Sequence, residues 1–322
     1  MTTFTLILSL ALQFGESQHD QEESGLRSAL TRAESEQPVN PQAIDQALVD
    51  LAGFLSQHGR YREAEPLYVR SSDITRSTHG PTSAAAALSL LRLGAIYHAQ
   101  LRFEQAETLT RRAADLLQQL AGPDSVAYAY AMANLATILA EQGENARAEP
   151  VLRRALFLIQ KHHDRVMPTL EANLGLIYLR QGEPQKAAPL LQSAYDAFES
   201  AQNPARASAL AALAELAVVQ HRWLDADAQI RQACKLTIEM FGEDHPWLVG
   251  MLHLRAQVKA HAGDPRSAAS DMKRSVELME SLPGHDAPTL ARLLEEYAAV
   301  LRQAKKRNEA KLVLRQAKAL RQ

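Results

Sequence analysis

The sequence has one cysteine, few aromatic residues and almost no net charge. The single thiol, Cys234, excludes a disulfide framework and any cysteine-based zinc site. A net charge of −2 excludes a globally basic nucleic-acid-binding protein, although it leaves room for a local basic patch. Valine and isoleucine together supply only 22 residues, which disfavours sandwiches, barrels and most parallel-sheet enzymes.

Long apolar runs are also scarce. The longest mainly apolar stretch, residues 4–14 (FTLILSLALQF), is too short to span a bilayer. Its length fits the core of a signal peptide, but no Lys or Arg precedes it, Gln13 interrupts it and no A-x-A cleavage pattern follows. Residues 1–20 therefore have two interpretations, a leader peptide or a degenerate first helix. We expect a cytoplasmic protein, or an exported one if residues 1–20 are a signal peptide.

Alanine and leucine are the abundant residues. They number 55 and 47 of 322 residues, and both favour helix. The 46% hydrophobic content is enough to bury a substantial core. The composition therefore predicts an all-α protein.

The chain repeats itself from about residue 44 onward. The segment GRYREAEPLY at 59–68 recurs as LRFEQAETLT at 101–110, GENARAEPVL at 143–152 and GEPQKAAPLL at 182–191, and three weaker copies follow. The alanine shared by all copies recurs every 39 or 42 residues. We call these residues the anchor alanines: Ala64, Ala106, Ala148, Ala187, Ala226, Ala268 and Ala310.

Two further positions in each copy are always small. Twelve residues before each anchor the residue is Ala or Gly, and seven residues after it the residue is Ala or Ser. Such positions allow two helix backbones to approach closely, and a larger side chain there costs about 1–3 kcal/mol. Each copy is therefore predicted to be two helices joined by a short turn, near 46–57 and 61–76 in the first copy.

Glycine and proline mark the predicted turns. Gly59, Gly143, Gly182 and Gly263 stand between paired helices, where a left-handed C-terminal residue is best supplied by glycine. Pro66, Pro150 and Pro189 are predicted in the first turn of the second helix, where a missing N–H costs little. The 42-residue copies carry an additional glycine in a longer link to the next copy.

This pattern of small residues, Leu-Ala or Leu-Gly pairs and aromatics resembles the tetratricopeptide repeat family. The 42-residue period, the A-E-P-L motif and links such as FGEDHP at 241–246 are similar to the kinesin-light-chain-like subtype. The resemblance implies a right-handed α-solenoid of about seven helix-turn-helix repeats over residues 44–322. Residues 1–43 would precede it as a degenerate helical cap or leader. The later copies depart from the pattern, since Arg255 and Tyr297 replace a leucine and His221 and Lys305 replace the turn glycine.

The resemblance also implies that first helices line a concave groove that binds a peptide or a segment of another protein. Asn134 and Asn173 occupy equivalent positions, where an amide can bond to an extended backbone, or they are simply inherited by copying. Arg92 and Arg180 would meet an acidic group or solvent, and Tyr130 would stack or pack. The predicted groove residues are Arg92, Tyr130, Asn134, Thr137, Thr169, Asn173 and Arg180.

The sequence offers no catalytic constellation. It has no nucleotide-binding glycine loop and no G-x-S-x-G turn, and its one tight histidine cluster, His162-His163-Asp164, falls in an inter-repeat link. We therefore predict a non-enzymatic adaptor with no cofactor, metal or small-molecule substrate, whose partner is another protein or peptide. The alternative is a scaffold or self-assembling subunit that uses its ends or convex face, with the groove empty or filled by its own N-terminus.

Charge is unevenly distributed. Residues 1–50 carry eight acids and two bases, whereas residues 301–322 carry eight bases and one acid, Glu309. The basic segment is interpreted as a solvated polar cap of the last repeat. Head-to-tail association between the acidic and basic ends is a second hypothesis. RNA binding is a third, disfavoured because the segment has no aromatic residue.

Overall fold

The computed structural model describes residues 16–100, 102–162, 167–282 and 287–321, and within these segments it contains helices and no strands. The predicted all-α fold is confirmed. The apolar stretch at 4–14 and the pair His163-Asp164 lie outside the described residues. The helices are α1 (Glu16–Ser35), α2 (Pro41–Gln57), α3 (Tyr61–His79), α4 (Ala84–Ala99), α5 (Phe103–Ala121), α6 (Val126–Glu141), α7 (Asn145–Lys161), α8 (Met167–Arg180), α9 (Pro184–Ser200), α10 (Arg206–Val219), α11 (Trp223–Phe241), α12 (Trp247–His261), α13 (Pro265–Ser281), α14 (Ala287–Gln303) and α15 (Arg307–Ala319).

The helices form two compact units, one containing α1–α7 and the other α8–α15. In the first unit α2 packs on α3, α4 on α5 and α6 on α7, and each pair also contacts the next. The second unit follows the same scheme from α8·α9 to α14·α15. Each unit is therefore a stack of helix-turn-helix pairs, as the repeat predicts.

The small residues of the repeat lie where helices cross. Every anchor alanine is at most 1% exposed. A Cβ atom added at Gly94 would lie 2.6 Å from the Thr110 Oγ1 atom, and one at Gly175 would lie 2.7 Å from the Leu191 Cδ2 atom. Helix packing therefore depends on alanine at the anchor positions, and at Gly94 and Gly175 even the Cβ atom of alanine would force a neighbouring side chain to shift.

The predicted turn glycines adopt the left-handed conformation, with φ of 72° at Gly59 and 85° at Gly143. His221 and Lys305, which replace glycine in later copies, keep that conformation with φ of 59° and 63°. The turn geometry is thus retained where glycine is absent. Positive φ is sterically unfavourable for a residue with a Cβ atom, so these two turns are strained relative to the glycine turns.

The placement of the three prolines was predicted wrongly by one turn. Helix α3 begins at Tyr61, so Pro66 lies inside the helix in its second turn, and Pro150 and Pro189 occupy the same place in α7 and α9. All three prolines are exposed. Proline has no N–H to donate to the carbonyl four residues earlier in the helix. Because the prolines face solvent, that carbonyl can accept a hydrogen bond from water instead.

Helix α1 occupies the position that a preceding second helix would take. Leu26 and Leu30 pack against the cluster that includes Leu51 of α2. Ion pairs between Glu23 and Arg60 and between Glu34 and Arg70 join α1 to the first repeat. These contacts make α1 part of the first unit, whatever role residues 1–15 have.

Candidate functional site

The first unit presents two of the predicted groove residues at the same repeat position. Arg92 on α4 and Asn134 on α6 each lie fourteen residues before an anchor alanine, and both are half-buried. Neither side chain makes a hydrogen bond or ion pair with another residue in the described part of the chain. The polar atoms of both residues are therefore available to a ligand.

The neighbourhood of Arg92 is partly apolar. Leu88, one turn earlier on α4, is 46% exposed. Burial raises the pKa of the Tyr68 hydroxyl above its ordinary value, against the smaller lowering effects of a hydrogen bond with Ser56 and of the Arg92 charge. This surface combines a cation with an exposed aliphatic side chain.

The other predicted residues of α6 differ from Asn134 in environment. Tyr130 is half-buried one turn before Asn134. Thr137 is 5% exposed, and its hydroxyl donates to the Ala133 carbonyl oxygen of its own helix at 3.0 Å. The hydroxyl hydrogen of Thr137 is therefore already used in a hydrogen bond within α6.

A buried ion pair that the sequence analysis missed joins α4 to α6. The Nε2 atom of His98 lies 2.8 Å from the Oε2 atom of Glu141, and the side chains are 15% and 4% exposed. Burial acts to lower the pKa of His98, but the charge and hydrogen bond of Glu141 raise it, and the pKa lies above its ordinary value of 6.5. The pair therefore favours a charged imidazole between the two helices.

The same pairing occurs in the second unit, where His253 on α12 contacts Glu296 on α14. In both pairs the acid follows the histidine by 43 residues, one more than the longer repeat period. The two histidines hold different repeat positions, His98 eight residues before Ala106 and His253 fifteen before Ala268, so the repeat register does not single the pairs out in the sequence.

The second unit places Thr169, Asn173 and Arg180 on α8. Thr169 and Arg180 are half-buried, whereas Asn173 is only 5% exposed. Asn134 and Asn173 therefore share a repeat position but not a degree of exposure.

The described segments contain no group of three or more His, Cys, Asp or Glu side chains arranged to hold a metal ion. Burial raises the pKa of the Cys234 thiol to about 11, so it is held as a neutral core group. Among the helices that the structure describes, none is long and apolar enough to cross a membrane.

One family model of the tetratricopeptide repeat matches residues 44–119, 87–160 and 247–322. A second model of the same repeat matches residues 169–200. The matched ranges cover more than half of the chain, which therefore belongs to the tetratricopeptide repeat family. No curated protein sequence gives a significant match.

Solved structures share the fold. The Rap conjugation gene regulator of plasmid pLS20, in complex with the Phr* peptide, matches with a TM-score of 0.70 and 13% identity, over 96% of this chain and 86% of that one. A Rap protein complexed with Competence and Sporulation Factor gives 0.64 and 14%, over 96% and 88%. A putative kinesin light chain from Podosopora anserina, with nearly identical TPR-like repeats, gives 0.50 and 17%, over 62% and 96%. At these identities the likeness shows the fold alone.

Proposed function

We propose that this protein is a non-catalytic interaction module that binds an extended segment of a partner protein on the α4–α6 face of its first unit. One observation carries the proposal: Arg92 and Asn134 are half-buried at equivalent positions and bond to no other residue in the described chain. The Asn134 amide offers both a donor and an acceptor, which suits a peptide backbone. The Arg92 guanidinium suits a carboxylate on the same segment.

Two further observations support this proposal. The structure with the highest TM-score of the three described above is that of a protein in complex with a peptide. Exposed Leu88 beside Arg92 would receive an apolar side chain of the ligand. Thr169, Asn173 and Arg180 lie on α8 of the second unit and stay a separate prediction.

The 42-residue kinesin-light-chain-like subtype is part of the proposal. The A-E-P-L motif and the longer links support it, since Gly80, Gly122 and Gly242 end α3, α5 and α11 with φ of 85°, 87° and 84°. The fold shared with the Podosopora anserina repeats is consistent with this assignment.

The test replaces the two free polar groups of the first unit. Arg92→Gln with Asn134→Ala should weaken partner binding roughly tenfold, because each lost bond costs about 0.5–1.5 kcal/mol. Affinity capture with quantitative mass spectrometry identifies the partner, and fluorescence anisotropy with a labelled segment of it measures the affinity. Asn173→Ala, made separately, reports on the second unit.

Matched controls are available on exposed surface. Arg112→Gln and Gln119→Ala on α5 remove the same chemical groups from exposed positions without a described hydrogen bond or ion pair. Both should bind as the wild type does, with unchanged circular dichroism and melting temperature. If the Arg92/Asn134 variant also binds normally, the ligand site lies elsewhere.

The alternative, a scaffold whose groove is filled by its own N-terminus, rests on the apolar sequence at 4–14. Deleting residues 1–20 separates the two proposals. Under the alternative, the deletion creates an apolar surface that binds a hydrophobic dye. Under the proposed function, dye binding stays at the wild-type level.

A further inference from the structure

Helix α15 carries four basic residues in a single line, Arg307, Lys311, Arg315 and Lys318, which we call the α15 stripe. They follow one another at intervals of four, four and three residues, so they share one face of the helix over about 16 Å. All four are exposed, while Ala310, Val313 and Ala317 bury the opposite face. The stripe is therefore a straight, solvent-facing row of positive charge.

No acidic side chain in the described residues forms an ion pair with the stripe. The acids near α15 are engaged elsewhere, Glu309 with Lys306 and Glu295 with Arg321. Like charges at i,i+4 destabilise a helix by about 0.2–0.5 kcal/mol per pair. The stripe thus costs stability within the described chain.

Three of the other second helices, α5, α7 and α11, avoid this cost. The residue after the anchor alanine is an acid paired with a base four positions later in Glu107–Arg111, Glu149–Arg153 and Asp227–Arg231. In α15 the same two positions hold Lys311 and Arg315. Lys311 thus replaces the acid found in those three helices, and Arg315 has no acid four residues before it with which to form an ion pair.

An exposed apolar side chain lies beside the stripe. Leu312 is 60% exposed, whereas the same position holds proline, threonine, alanine or serine in the other copies. We infer that the α15 stripe binds an acidic, leucine-containing amphipathic segment of a partner protein, whose carboxylates face the bases and whose apolar residues cover Leu312.

Two other anionic partners fit these observations less well. A nucleic acid would use the charge but leave Leu312 uncovered, and the last 25 residues contain no aromatic side chain for base stacking. The acidic N-terminal helix of a second copy has fewer free carboxylates than its sequence suggests, because Glu23 and Glu34 already pair with Arg60 and Arg70.

The test uses the full chain and a labelled peptide of about 25 residues built from leucine and glutamate, well above the length at which isolated helices are marginal in water. Lys311→Glu with Lys318→Glu should weaken its binding about tenfold or more by fluorescence anisotropy, since two attractions become repulsions. Lys311→Glu restores the acid–base spacing of the other repeats with Arg315, so α15 should remain folded. Circular dichroism checks this.

Arg112→Glu with Lys161→Glu makes the same change in net charge on exposed positions of the first unit and should leave binding unchanged. Equal binding by wild type and the α15 variant would overturn the inference. It would also be overturned if a duplex oligonucleotide bound more tightly than the peptide through the same residues with a steep salt dependence. Self-association abolished by Lys311→Glu would likewise overturn it, in favour of a second copy.

Discussion

Single residues show how this repeat tolerates polar substitution in its core. Arg255 occupies a position that is leucine in the first five copies, and it forms two 2.8 Å hydrogen bonds with Asp271, which is only 8% exposed as a side chain. Lys259 adds a third contact to the same carboxylate at 2.7 Å. In the first copy the two positions hold Leu51 and Leu67, which belong to one apolar cluster. A buried ion pair has replaced an apolar contact.

This replacement makes a prediction at the residue scale. Asp271→Leu should destabilise the protein by about 2–4 kcal/mol, because Arg255 loses its partner while remaining largely buried. Arg255→Leu with Asp271→Leu should recover most of that loss, since it restores the apolar pair of the first four copies. Urea denaturation measures both. A double variant no more stable than Asp271→Leu would show that the site does not accept apolar packing.

At the scale of the element, the helix pair depends on the anchor alanines. Ala148 of α7 is fully buried, whereas Ala146 on the same helix is exposed. Ala148→Leu should destabilise the first unit by about 1–3 kcal/mol because the added atoms push α7 away from its neighbours. Ala146→Leu should change stability by less than about 0.5 kcal/mol. Thermal denaturation of the two variants checks the contrast, and equal melting temperatures would contradict it.

The positions of the helix pairs were predictable from the sequence. Small residues at fixed intervals located the pairs, because close helix packing limits side-chain size at the same positions in every copy. The start of α2 was predicted too late, because the first helix was expected near residue 46 and α2 begins at Pro41. The Asn40 side chain accepts hydrogen bonds from the Gln42 and Ala43 amides, and Pro41 is the first helical residue, where a missing N–H costs little.

The candidate site was less predictable than the helices. Register assigns Asn134 and Asn173 to one helix position, but burial differs between them because it depends on everything packed around each residue. The engaged hydroxyl of Thr137 and the His98–Glu141 pair are set by side-chain rotamers, which a repeat period does not specify. The function of the predicted site residues remains a prediction.

At the scale of the whole molecule, the two units carry histidines with opposite responses to pH. His98 in the first unit has a raised pKa, so its contribution to stability is present below 6.5 and is lost as pH rises through the folded-state value. His245 in the second unit has a pKa lowered to about 4, because it is buried against Phe241 and Trp247. The stability that neutral His245 contributes to the second unit is present above pH 6.5 and is lost as pH falls towards its folded-state pKa.

Hydrogen exchange, corrected for intrinsic rates, should therefore show α4 and α6 losing protection as pH rises above 6.5 through the folded-state pKa of His98. It should show α11 and α12 losing protection as pH falls from 6.5 to about 4. His98→Gln should remove the first response and leave the second. The exposed His79→Gln serves as the control and should change neither. A persistent alkaline response in His98→Gln would assign it to another group.

The small residues that recur in register in every copy have a consequence for how such a chain changes its length. Within each unit a copy packs on the next through equivalent small positions, so an in-frame duplication of one 42-residue period would insert a helix pair whose packing positions already exist. Unequal recombination between copies can thus lengthen or shorten the gene without inventing a new interface. Selection can then act on the exposed residues of the new copy and their binding partners, because the copy already carries the small residues that helix packing requires.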